Sequence, residues 1–110
     1  MSTGRKSRNK GKAGERAVAK LFREVMGMET RRGWQAAQAT TACDVEGTPW
    51  WLEVKRHKKV PIRPSYAQAV NDSDGRPPVV VWRDDRGEWM VCLSLADFMA
   101  ECKTHRRAKR

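Results

Sequence analysis

Asp44, Glu53 and Lys55 are the residues of this 110-residue chain whose types and spacing could do chemistry together. They stand in the segment Cys43-Asp44-Val45-Glu46-Gly47-Thr48-Pro49-Trp50-Trp51-Leu52-Glu53-Val54-Lys55. In an extended strand successive side chains alternate, so Glu53 and Lys55 share a face while Val54 points into the opposite layer. Gly47-Thr48-Pro49 is turn material. A hairpin pivoting between Gly47 and Thr48 sets Asp44 across from Trp51, with Glu53 as its diagonal neighbour roughly 7 Å away. Two carboxylates at that separation can close around one hard cation. Two acids and a lysine on the face of a central strand cost desolvation energy, and a bound metal relieves it. Mg2+ suits oxygen ligands of this number. Such a site polarises a phosphoryl oxygen and acidifies a bound water, while a neighbouring ammonium stabilises the charge that develops on phosphate. The alternative is an exposed strand face whose Glu and Lys merely pair, since E-x-K recurs by chance in many proteins.

A third acid, Glu15, falls on the helical line Glu15, Val18, Ala19, Phe22 and so borders an apolar stripe. The same residue also suits the positive end of a helix dipole, and both explanations stay open.

Positioning these groups takes a helix and at least two strands. The first helix is expected from about Lys12 to Met26, with Ala17, Val18, Leu21, Phe22 and Val25 at helical spacing and Gly27 as its stop. A short basic strand follows at 28–32, and 33–41 shows neither period. Two antiparallel strands at 42–46 and 50–56 come next, and then a proline-interrupted extended loop over 57–64. Ser65 can cap a short helix to about Val70, ended by Asn71-Asp72-Ser73-Asp74-Gly75. Strands at 78–82 and 88–93 form a second hairpin around Asp84-Asp85-Arg86-Gly87. Ser94 with Asp97 resembles a capping box for a last helix bearing Leu95, Phe98, Met99 and Cys102 on one face. The order α-β-β-β-α-β-β-α predicts an α/β fold with a mixed central sheet flanked by helices.

The composition supports one domain of 39% apolar and 33% charged residues with a formal charge of +10. The charge sits at the ends. Arg5, Lys6, Arg8, Lys10 and Lys12 precede the core, and Lys103, Arg106, Arg107, Lys109 and Arg110 follow it, without an acid in either run. The remaining 13 basic residues balance 13 acidic ones. The expected organisation is a basic flexible tail over 1–11, a folded domain over 12–102 and a basic tail over 103–110. Cationic ends of this kind bind polyanions through counterion release, and nucleic acid is the expected partner. Apolar runs such as Val79 to Trp82 are far too short to span a bilayer, and no secretory signal pattern opens the chain, so a cytoplasmic protein is expected. Cys43, Cys92 and Cys102 are an odd set without a C-x-x-C pair, which disfavours a disulfide scaffold; Cys102 and His105 alone have ligand-like spacing, too few for zinc.

In this order the residues resemble the PD-(D/E)xK nuclease superfamily, and within it the Holliday-junction resolvase-like endonucleases of archaea and of phages or prophages. Gly11-Lys12-Ala13-Gly14-Glu15-Arg16 is similar to the opening helix, Arg31-Arg32-Gly33 to the next strand, and Asp44 with Glu53-Val54-Lys55 to the signature. Tyr66-Ala67-Gln68 resembles a glutamine-bearing helix, and 78–82 with Gly87-Glu88-Trp89 a closing hairpin. The resemblance implies a restriction-endonuclease-like fold and a DNA endonuclease using Mg2+ or Mn2+. It implies that Asp44 and Glu53 bind the metal with the Val54 carbonyl, that Glu15 binds metal or a metal-bound water, that Lys55 orients the attacking water, and that Gln68 assists near the lysine or the phosphate. Ser65-x-x-Gln68 is equally a capping-box pattern. Branched DNA such as a four-way junction is the implied substrate, a homodimer the implied assembly, and the host cytoplasm the place of action. Nicked, flap or duplex DNA is the alternative substrate, and a non-catalytic DNA binder the alternative function. Arg31, Arg32, Arg56, His57, Lys58, Lys59 and Arg63 are the expected DNA contacts, the last five leaving Lys55 as a phosphate track or else a solvated basic loop. Trp34, Trp50 and Trp51 could stack on exposed bases or belong to the core.

Overall fold

The computed structural model of the chain describes residues 2–33 and 43–108. Its elements are α1 (Ser2–Met26), β1 (Arg31–Arg32), β2 (Val45–Glu46), β3 (Trp51–His57), α2 (Ile62–Asp72), β4 (Pro78–Asp84), β5 (Met90–Cys92) and α3 (Leu95–Ala108), in the expected order. The strands form one five-stranded mixed sheet, β1-β2-β3-β4-β5. β3 and β4 are parallel and the other neighbouring pairs antiparallel, so α2 is the crossover that a parallel pair requires.

A central strand between two helical layers is buried on both faces, and residues 51–54 of β3 and 79–81 of β4 are all buried. Alternation along β3 sorts its side chains. Leu52 and Val54 join Val18, Ala19, Val45, Val79 and Val81 beneath α1. Trp51 joins Cys43, Ala69 and Val80 beneath α2. Gly14 lets α1 settle onto this sheet, because a side chain there would meet Trp89 at 3.4 Å and Val54 at 3.5 Å.

Several boundaries differ from the sequence expectation. α1 begins at Ser2 instead of near Lys12, taking in most of the segment expected as a tail. Apolar periodicity marks the buried face and not the reach of a helix, and the preceding Lys, Arg and Asn residues allow the helix to continue without it. The buried line of α1 is Val18 and Ala19 with Phe22 beside them, while Leu21 and Val25 are exposed, Val25 by 74%. β1 is two residues long because Thr30 is bound to the C-terminal half of α1, its hydroxyl donating to the Ala19 carbonyl at 2.6 Å. α2 starts at Ile62, so 57–64 is not one extended loop and Ser65 is not the cap. Pro64 falls in the first turn, where a missing N–H costs nothing, and the Ser65 hydroxyl donates backwards to the Pro61 carbonyl at 2.8 Å. α3 is capped as expected, with the Asp97 amide donating to Ser94 Oγ at 3.0 Å, but it runs on to Ala108 through residues expected as a tail. Its Leu95, Phe98 and Met99 are exposed, Leu95 by 68%. No helix among the described residues is long and apolar enough to cross a membrane.

Candidate active site

β3 presents Trp51, Glu53 and Lys55 toward α2, as alternation requires. Glu53 is buried, and its Oε1 accepts a hydrogen bond from Trp51 Nε1 at 3.1 Å. Lys55 Nζ donates to Gln68 Oε1 on α2 at 3.1 Å. Gln68 therefore faces the lysine instead of closing a capping box.

Asp44 lies on a bend just before β2 and is pinned from three directions. Its amide donates to the Leu52 carbonyl at 2.9 Å, its carbonyl accepts from Gly33 at 2.7 Å, and its Oδ2 accepts from the Val54 amide at 2.8 Å. Gly33 is required for that approach, since a Cβ there would stand 1.9 Å from the Cys43 carbonyl oxygen. The ladder pairs Val45 with Leu52, so the turn pivots between Thr48 and Pro49 and not between Gly47 and Thr48. Asp44 consequently lies against the 52–54 stretch of β3, not opposite Trp51. Bonds to the turn explain the shift: Thr48 Oγ1 accepts from the Trp50 amide at 3.1 Å and lengthens the connection.

The two carboxyl groups meet. Burial pushes the Asp44 carboxyl well above the usual carboxylate range, the adjacent Glu53 charge pushes it further, and the Val54 amide and Lys55 oppose the rise. Glu15 behaves differently. It comes from α1, which covers the opposite face of β3 from Glu53, and its Oε1 is held by Arg32 Nε at 2.6 Å. Burial raises its pKa, the Arg32 bond resists, and repulsion from Asp44 adds to the rise. Glu15 is thus within electrostatic reach of Asp44 but already partnered. Among the described residues no group of three or more His, Cys, Asp and Glu side chains is placed to hold a metal ion. The Asp44 and Glu53 carboxyls fit a hard divalent cation by their chemistry: a half-buried and a buried acid in contact need a proton or a cation between them.

The expected DNA contacts divide. Arg31, His57, Lys58, Lys59 and Arg63 are exposed. Arg32 is engaged with Glu15, and half-buried Arg56 lies 4.0 Å from Asp85. An open concavity of about 700 Å3 lined by Lys58, Asp84, Asp85, Arg86 and Gly87 flanks this basic run. Trp51, 1% exposed, is a core residue that cannot stack on bases. Trp50 packs against Phe22 with centroids 6.2 Å apart and donates to Glu101 at 2.9 Å. Trp34 lies outside the described residues. Cys43, Cys92 and Cys102 are free thiols, and burial together with the Glu46 hydrogen bond pushes the Cys43 thiol up to about 12. Sequence reasoning missed the Arg32 pairing of Glu15, the Trp51 bond to Glu53 and the role of Arg76, whose Cζ lies 5.3 Å from the Trp51 ring centroid. Only the i, i+2 spacing of Trp51 and Glu53 signalled any of these.

A mixed sheet whose central strand reads Glu53-Val54-Lys55 beside an acid-bearing bend, with helices on both faces, defines a PD-(D/E)xK nuclease fold. The family model described as "Phage putative PDDEXK endonuclease" matches residues 6–109, and the chain belongs to that family. No curated protein and no solved structure gave a significant match.

Proposed function

We propose that this chain is a Mg2+- or Mn2+-dependent endonuclease that hydrolyses DNA phosphodiester bonds at branched structures such as four-way junctions, acting as a homodimer in the cytoplasm of a phage host. The observation that carries the proposal is the contact of the half-buried Asp44 carboxyl with the buried Glu53 carboxyl beside Lys55. Asp44 and Glu53, with the Val54 carbonyl, would hold the ion. When bound, such an ion polarises phosphate and lowers the pKa of a coordinated water. The Lys55 ammonium, steadied by Gln68, stabilises negative charge on the phosphoryl oxygens and orients the attacking water. Glu15, held by Arg32, stands beside Asp44 on the α1 side and assists with metal or water.

Exposed Arg31, His57, Lys58, Lys59 and Arg63 supply phosphate contacts, and Arg32 and Arg56 flank them from their ion pairs. Exposed Val91, Leu95, Phe98 and Met99 support the homodimer, since an apolar face of this kind on α3 and β5 suits a second copy. The test incubates labelled four-way junction, flap, nicked and linear duplex DNA with the protein in Mg2+ or EDTA. Cutting of the junction in Mg2+ alone is the expected result. Equal cutting of all substrates would remove the junction preference, and binding without cutting in Mg2+ or Mn2+ would leave a DNA-binding protein.

A further inference from the structure

Trp51 is placed to do more than fill the core. Its indole N–H is buried and needs an acceptor, and it bonds an acid two residues along the same strand face. That bond takes one oxygen of Glu53 and fixes the plane of the carboxyl group. The indole is itself clamped. Its backbone amide donates to the Pro77 carbonyl at 2.9 Å, and the Arg76 guanidinium lies over its ring. Arg76 reaches this position from the turn between α2 and β4. Its Nη2 donates to Asp74 Oδ2 at 2.9 Å and its Nη1 to Glu46 Oε1 on β2 at 3.0 Å. Glu46 Oε1 also accepts from the Cys43 thiol at 2.8 Å, next to Asp44 in the chain. One guanidinium thereby ties the strand that precedes the hairpin turn, the turn before β4 and the ring that holds Glu53. All of these groups sit on the α2 side of β3, the side that Glu53 faces.

We propose that Trp51 and Arg76 are positioning residues that hold the Glu53 carboxylate in the orientation needed to share a divalent cation with Asp44. The proposal rests on the reading of Asp44 and Glu53 as metal ligands. Hydrogen bonds to a ligating carboxylate set its aim, and losing such a partner weakens metal affinity by about 10- to 100-fold. Trp51→Phe keeps an aromatic ring in the core and deletes the N–H. Arg76→Met keeps most of the stem and deletes the charge.

The experiment is calorimetric titration of the purified full chain with Mn2+ in the absence of DNA, at a temperature where circular dichroism shows each variant folded. Val79→Ala, a core truncation on the α1 side, is the control for general loosening. The expected result is an affinity for Mn2+ lowered about tenfold in Trp51→Phe. Arg76→Met should lower it by a smaller factor and Val79→Ala not at all. Wild-type affinity in Trp51→Phe would overturn the proposal, as would an equal loss in Val79→Ala. Should Trp51→Phe fail to fold, Arg76→Met decides, and wild-type affinity there overturns it. Wild-type protein that binds no Mn2+, or Asp44→Asn that binds it equally well, would instead remove the metal reading and this proposal with it.

Discussion

Two acids in contact, Glu53 buried and Asp44 half-buried, make proton and metal compete for one place. The Asp44 carboxyl is raised from its ordinary 3.8 to about 7, by burial first and by Glu53 second. An acid whose folded pKa lies above its unfolded value keeps a proton that the unfolded chain releases, so its effect on stability has a definite sign. In EDTA the melting temperature should be highest below pH 4 as far as this group is concerned, and should decline as pH rises through about 7. Mn2+ at pH 8 should restore it, which a thermal melt with and without the ion checks. Lys55 makes a separate prediction. Lys55→Ala should lower the single-turnover cleavage rate by about 100- to 1000-fold with DNA affinity little changed, by analogy with loss of a charge-stabilising donor. Asp44, Glu53 and Lys55 were legible because acids and an amine at strand spacing are costly unless they are used. The partner of Glu15 was not, because Arg32 lies 17 residues away and only the fold brings it there.

At the level of elements, sequence pattern located each helix and strand and misplaced their ends. Period-2 and helical spacing report which face is buried, whereas ends are set by bonds to other elements. Thr30 shortens β1 by bonding α1, and α2 starts at Ile62, three residues before the serine that looked like its cap. The hairpin register was missed by the same cause, a side-chain bond inside the turn at Thr48. Gly33 marks where element geometry meets chemistry. Gly33→Ala should destabilise the fold by about 1–3 kcal/mol, because the new methyl collides with the Cys43 carbonyl and drives β1 from the Asp44 segment. Ser94→Ala, which removes only the cap of α3, should cost about 1 kcal/mol and leave cleavage by the folded protein unchanged. Urea unfolding of the two variants, each with a cleavage assay, separates these outcomes.

Across the whole molecule, basic ends surround a formally neutral middle, and the exposed basic residues after β3 lie on the same chain segment as Lys55. If the ends bind DNA, replacing Arg5, Lys6, Arg8, Lys103 and Arg106 by Gln should flatten the slope of log affinity against log salt by about 0.9 for each phosphate no longer neutralised. An unchanged slope would show that these residues do not touch DNA. Net charge made the polyanion partner legible from composition, while the exposed α3 face was hidden by a periodicity that looked like core. The most direct measurement is single-turnover cleavage of a labelled four-way junction in Mg2+ by wild-type protein and by Asp44→Asn, with binding measured on the same samples. Cleavage by wild type, its abolition in Asp44→Asn and equal binding by both are predicted. Undiminished cleavage by Asp44→Asn, or none by wild type in Mg2+ or Mn2+, would contradict a carboxylate-held ion at this site.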